Sequence, residues 1–198
     1  MDLRRCTELS PGFSIEGPIK HDSAGTHQVI VPRHLSEGRP YVFSERDELR
    51  VTLQRDLQRY RVSAGDVLVL SRGARNSAFF IQKVPSPTVA PLLFFILHPG
   101  SQIDGAYLTW YLNLESTKAR LQQMRSGTRT PLLHSRELGK LEVPLPPLDV
   151  QRQIARLANL MFRQRQLQDE LRIERDRMHA LVGRQILNSL VGWEERNG

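Results

Sequence analysis

The chain has 198 residues, room for one substantial domain and an appendage, and its 25% charged and 39% hydrophobic residues are those of a globular protein. Its charge is unusual, since 28 Lys+Arg against 21 Asp+Glu give +7, with a pI near 10.2. A single cysteine, Cys6, excludes a disulfide framework and a cysteine-based zinc site and fits a reducing cytoplasm. No apolar run approaches the roughly 18 residues of a membrane helix, and no apolar leader core follows the charged start of Asp2, Arg4 and Arg5.

Residues 1–27 read as loop and turn, broken at Pro11-Gly12, Gly17-Pro18 and Gly25. Gln28–Val31 is an expected strand leading into Pro32-Arg33-His34, and Arg39–Phe43 is a second. Ser44–Arg61 fits a short helix or turn and then a strand. Val62–Asp66 is a turn with Gly65 and Asp66 at its corner, followed by a buried strand over Val67–Leu70. Ser71–Ser77 is a loop, Ala78–Val84 a strand, Pro85–Pro91 a turn, and Leu92–Leu97 a further core strand. Asp104 is placed to cap a helix carrying Tyr107, Leu108, Tyr111 and Leu112, continued over Thr117–Met124. Tyr107, Trp110 and Tyr111 read as packing groups on that helix. Arg125–Pro131 is a loop, Ser135–Gly139 a short helical turn, and Leu141–Val143 a return to strand.

The stretch from Leu141 to Ile154 divides the chain. Pro144, Pro146 and Pro147 fix an extended strap, and Asp149 is suited to cap the helix that follows. From Val150 to about Leu190 there is no proline and one glycine, Gly183. A seam through Val150, Ile154, Leu157, Met161, Gln164, Gln168, Leu171, Arg175, Met178, Val182 and Gln185 alternates steps of three and four, the coiled-coil spacing. Such a helix would be roughly 60 Å long and cannot bury its apolar face along a head of about 140 residues. It is therefore expected to meet another helix; folding back on its own head is the alternative. The fold class is α+β, with a mixed head over residues 1–146 and a long helical region over 147–198.

Arginine supplies nearly all of the basic excess, because lysine occurs only at Lys20, Lys83, Lys118 and Lys140. Its planar fork suits phosphates and guanine edges, so an acidic polymer is the natural partner; a basic surface with no specific partner is the alternative. Chemistry of other kinds finds no support. There is no Gly-rich loop with Lys-Ser/Thr, no Asn/Asp-Pro-Pro-Tyr/Phe motif, no histidine pair at metal spacing and no Glu-x-Lys nuclease core. Glu137-Leu-Gly-Lys140 is one residue too long for the last. No catalysis, metal or cofactor is expected of this chain alone.

The order of features resembles the specificity subunit of Type I restriction–modification enzymes. The resemblance is carried by Gly25–Leu35, by Ala64-Gly-Asp-Val-Leu-Val-Leu-Ser-Arg-Gly73, and by the aromatic helix Tyr107–Asn113. Ser126-Gly-Thr-Arg-Thr-Pro131 and the run from Leu138 through the proline strap to Ile154 complete it. It implies a target-recognition domain that reads one half of a split double-stranded DNA site. It also implies a helical spacer that docks methyltransferase subunits, which would carry out the catalysis. The family usually holds two recognition domains in one chain and here there is one. Either two copies pair through the tail as a homodimer, or the chain works with another protein.

Three segments are the expected DNA contacts. Arg72, Arg75 and Asn76 lie on a glycine-containing loop between core strands, where arginine can bridge guanine O6 and N7 and asparagine can do the same for adenine. Arg125, Thr128 and Arg129 flank Gly127, which lets backbone amides approach phosphate. Arg33 and His34 follow the first expected strand. Ile154, Leu157, Met161, Leu171, Met178 and Val182 are the expected partner or dimer interface. The competing function is a non-catalytic coiled-coil adaptor whose basic head binds an acidic protein.

Overall fold

A computed structural model of the chain describes residues 1–14, 17–53, 57–73, 76–127 and 131–197, with side chains to residue 187. The chain divides into two units, residues 1–158 and 159–198.

The first unit opens with α1 (Leu3–Cys6) and β1 (Thr7–Pro11), within a segment expected to be loop. Its order comes from afar. β1 runs antiparallel to a strand almost ninety residues on, with Thr7 opposite Pro99 and Pro11 opposite Phe95. Next come β2 (His27–Val29), β3 (Tyr41–Val42), β4 (Arg50–Val51), β5 (Val67–Leu70), β6 (Ala78–Lys83), β7 (Thr88–Val89) and β8 (Phe94–Pro99). β7 lies where only a turn was expected, because Val89 pairs with Val29 in parallel. Five strands form one sheet in the order β1-β8-β5-β6-β3, and β4-β2-β7 form a second.

Side chains of the larger sheet alternate between two buried layers, as a period of two requires. Val67, Val69, Ala78, Phe95 and Leu97 face one core. Leu68, Phe79, Ile81, Phe94 and Ile96 face the other, with Ile30, Tyr41 and Val62. Covering on both faces explains why β5 and β8 read as unbroken apolar runs. The smaller sheet closes over Val29, Leu49, Val51, Leu57 and Val89.

The first layer is covered by α2 (Gly105–Leu112) and α3 (Glu115–Gln123), by the hairpin β9 (Arg125–Ser126) and β10 (Leu132–Leu133), and by α4 (Ser135–Gly139). Asp104 caps α2, its carboxylate accepting from the Tyr107 amide at 3.0 Å. The expected continuous helix breaks at Asn113–Leu114 into α2 and α3. Asn113 is used there by β6: its Oδ1 accepts from the Ala78 amide at 2.9 Å and its Nδ2 donates to the Ala78 carbonyl at 2.8 Å. The expected strand at Leu141–Val143 reduces to a bridge between Asp2 and Glu142.

The strap is held from several sides. The Tyr107 hydroxyl donates to the Pro144 carbonyl at 3.0 Å and the Tyr111 hydroxyl to the Glu142 carbonyl at 2.8 Å. The last helix, α5 (Leu148–Asn197), starts at Leu148, so Asp149 lies inside its first turn rather than capping it from outside. Gln151, fully buried, fastens this start. Its Oε1 accepts from the Asp104 amide at 2.9 Å, and its Nε2 donates to the carbonyls of Gln102 (3.0 Å) and Pro146 (2.8 Å). Ile154 and Ala155 pack on the first core, so the opening turns of α5 belong to the first unit. In the second unit the helix runs through Gly183 to Asn197; a lone glycine costs only about 1 kcal/mol relative to alanine.

One polar pair, buried on the Asp66 side and half-buried at His98, links the turn before β5 to the end of β8. Asp66, 5% exposed, accepts from the Ser63 amide at 2.7 Å and pairs with His98 Nδ1 at 2.8 Å. The hydrogen bond to Asp66 raises the His98 pKa above the usual 6.5; burial opposes the rise, and the charges of Asp66 and Glu8 add to it. The protonated ring thus stabilises the fold most fully below pH about 6.5, and that contribution is lost as pH rises through the raised folded-state value. Thermal melting should fall across that interval, and His98→Gln should flatten the profile. A wild-type profile as flat as that of the variant would remove the pair from the stability account.

Candidate nucleic-acid interface

β5 ends at Leu70 and delivers the chain to Ser71, Arg72 and Gly73. Ser71 is buried, its amide donating to the Leu93 carbonyl at 2.8 Å and its hydroxyl lying 2.8 and 3.0 Å from the Leu93 and Leu92 carbonyls. The expected loop after α3 is a hairpin, with Leu132 opposite Ser126 and Leu133 opposite Arg125. The two segments join edge to edge. Arg72 forms a bridge with Leu132, the Leu133 amide donates to the Ser71 carbonyl at 2.8 Å, and the Gly73 amide to the Pro131 carbonyl at 3.2 Å. Gly73 and Gly127 have φ of +96° and +93°, a backbone region that side chains with a Cβ rarely enter.

The Arg125 side chain turns into this junction. Nη2 donates to the Leu70 carbonyl at 2.8 Å, Nη1 to the carbonyls of Ser71 and Pro131 at 3.2 Å each, and Nε to Asn76 Oδ1. Burial lowers the pKa of the guanidinium, yet arginine stays charged in proteins, and carbonyl oxygens surround it. Asn76, 8% exposed, carries the link onward. Its Nδ2 donates to the Lys118 carbonyl and to Gln122 Oε1, both at 3.0 Å. Lys118 pairs with Glu37, which also accepts from the Ser77 hydroxyl at 2.7 Å.

Asn76 and Arg125 are expected to meet bases or phosphate; in the structure their polar groups bond to the protein's own loops. Ile154, expected at the partner interface, is half-buried against the core of the first unit. Arg72 and Arg33 are exposed. Arg33 lies on a 3-10 turn over Pro32–His34. The half-buried His34 closes that turn, its Nδ1 accepting from the Val31 amide at 3.4 Å. Burial lowers its pKa, which the nearby Asp47 charge partly offsets. Arg75, Thr128 and Arg129 lie outside the described residues.

Sequence reasoning missed Glu37, Ser71, Lys118 and Gln122, whose partners are tens of residues away in the chain. The hairpin was within reach, because five residues that include a glycine separate Arg125-Ser126 from Leu132-Leu133. Among the described residues no three His, Cys, Asp or Glu side chains could hold a metal ion. No helix there is long and apolar enough to cross a membrane. The Cys6 thiol is buried and lies 3.3 Å from the Leu3 carbonyl, and burial raises its pKa.

Comparison with known proteins decides the family. The Methylase_S family, described as Type I restriction modification DNA specificity domain, matches residues 34–170, more than half of the chain. The chain belongs to the Type I restriction–modification DNA specificity domain family. Specificity subunits of this family are non-catalytic, DNA-recognising chains. The match takes in the whole Arg125 junction, the strap and the start of α5.

Solved structures share the specificity-domain fold. One, from work on complex assembly and conformational transition of the type I R-M system, has a TM-score of 0.63 at 16% identity, covering 83% of this chain and 38% of its own. The HsdS subunit from Thermoanaerobacter tengcongensis has a TM-score of 0.59 at 17% identity, with 83% and 37% covered. The type I S subunit from M. genitalium has a TM-score of 0.53 at 14% identity, with 79% and 37% covered. The chain thus spans under two-fifths of the length of these matched chains. No curated protein sequence matches it.

Proposed function

We propose that the chain is the DNA-recognition subunit of a Type I-like restriction–modification complex, reading one half-site and docking methyltransferase chains that supply the catalysis. The carrying observation is the junction of a specificity domain at which an exposed arginine, Arg72, stands on a backbone bonded to a second loop. A guanidinium on a fixed stem can make the two parallel hydrogen bonds that distinguish guanine from other bases. Arg33, exposed on its 3-10 turn, extends the basic surface that holds the phosphate backbone.

In this reading residues 1–146 form the recognition domain and residues 147–198 the spacer and pairing region. A second copy of the chain supplies the companion for α5. Support comes from Leu157, Met161, Leu171, Met178 and Val182, each between 47% and 70% exposed in the single chain, on a seam with coiled-coil spacing.

Binding to a duplex carrying the preferred half-site should weaken steeply with salt, log K falling by about 0.9 per log unit for each phosphate neutralised. Arg72→Ala should remove about 1–3 kcal/mol of discrimination between that duplex and a scrambled one while leaving the oligomer intact. Fluorescence anisotropy across a salt series reads both. Unchanged discrimination in the variant would exclude Arg72 as a reading residue.

A further inference from the structure

Arg125 is the one arginine among the described residues whose guanidinium is recorded bonding to three separate backbone carbonyls, and those carbonyls lie on both loops of the junction. The Leu70 and Ser71 carbonyls sit on one side of Arg72, and Pro131 accepts from the amide of Gly73 on the other. Through Asn76 the same guanidinium is tied to α3, at the Lys118 carbonyl and Gln122. The backbone that presents Arg72 is therefore fixed by a charged group that itself points inward.

We propose, resting on the reading of the head as a DNA reader, that Arg125 is a positioning residue for sequence selection, holding Arg72 in register with the facing loop. The role depends on shape as well as charge. A guanidinium carries five donors in a rigid plane and can reach Leu70, Ser71, Pro131 and Asn76 at once. A lysine ammonium is a compact point charge on a flexible stem and cannot span them. Because the Arg125 guanidinium bonds to the protein's own carbonyls and to Asn76, its replacement should leave the number of phosphate contacts unchanged and release the direction in which Arg72 points.

The test compares the wild-type full chain with Arg125→Lys on a duplex selected by the wild type and on a scrambled duplex, across a salt series. The expected result is a selected-to-scrambled affinity ratio lowered roughly tenfold or more, with the salt slope and scrambled-duplex affinity within about twofold of wild type. Amide hydrogen exchange gives a DNA-independent reading: Gly73 should exchange roughly tenfold faster in Arg125→Lys, and Leu68 in the central strand at its wild-type rate. A ratio that stays at the wild-type value, or two affinities that fall together with a lowered melting temperature, overturns the positioning role. An unchanged Gly73 rate overturns the bracing itself. A wild-type chain that selects no duplex is a separate result; it overturns the DNA reading, and the role of Arg125 in selection with it.

Discussion

Leu171→Glu is expected to convert the chain from dimer to monomer in light scattering. Leu171 is 70% exposed in the single chain, and Leu157, Leu167, Met178 and Leu181 are all more than half exposed. Large apolar groups repeated at this spacing along one helix are stable in water only when another apolar face covers them. A two-fold pairing places the new carboxylate at the interface twice, among groups that must give up water to pair. Burying such a charge unpaired costs at least about 3 kcal/mol, more than hundredfold in the dissociation constant. Leu157→Glu should act in the same direction, and an exposed polar position off the seam, Asn159→Glu, should not. An unchanged mass for both leucine variants would remove self-pairing through α5.

Gln151→Leu carries the second large effect, on folding of the head. The site is fully buried, and leucine would occupy much of the same volume. It would leave the Asp104 amide and the carbonyls of Gln102 and Pro146 without the partner they have now. At about 1–3 kcal/mol for each of the three groups left unmatched, the loss is at least about 3 kcal/mol, or a melting temperature lower by roughly 6 °C or more. Gln153, two residues on and exposed, is the control, with an expected change within about 0.5 kcal/mol. A loss at Gln151 no larger than at Gln153 would mean that the strap does not depend on this anchor.

These two glutamines show where the sequence was legible. The run from the prolines through Gln151 and Gln153 stood out as a pattern, but nothing local separates the buried glutamine from the exposed one. The difference lies in Asp104 and Gln102, almost fifty residues away. The central strands were plain because Val67–Leu70 and Phe94–Leu97 are covered on both faces and so carry no polar residue. β1 and β7 were not, since each takes its order from a distant partner, Phe95 to Pro99 for β1 and Val29 for β7.

The interface divides in the same way. A glycine-bearing, arginine-rich loop identified the neighbourhood of Arg72, and the resemblance identified its family. The division of roles between Arg72 and Arg125 could not be read from residue type, because both are arginines within two residues of a glycine. Only the inward carbonyls of Leu70, Ser71 and Pro131 distinguish the brace from the group it presents.

The most direct test of the central claim is selection of duplexes from a randomised library by the full chain at moderate salt, followed by sequencing. Enrichment of one half-site motif, or of that motif in two spaced copies if the chain pairs, is the predicted result. A bound pool whose composition matches the starting library, from a folded chain that still binds DNA, would contradict it.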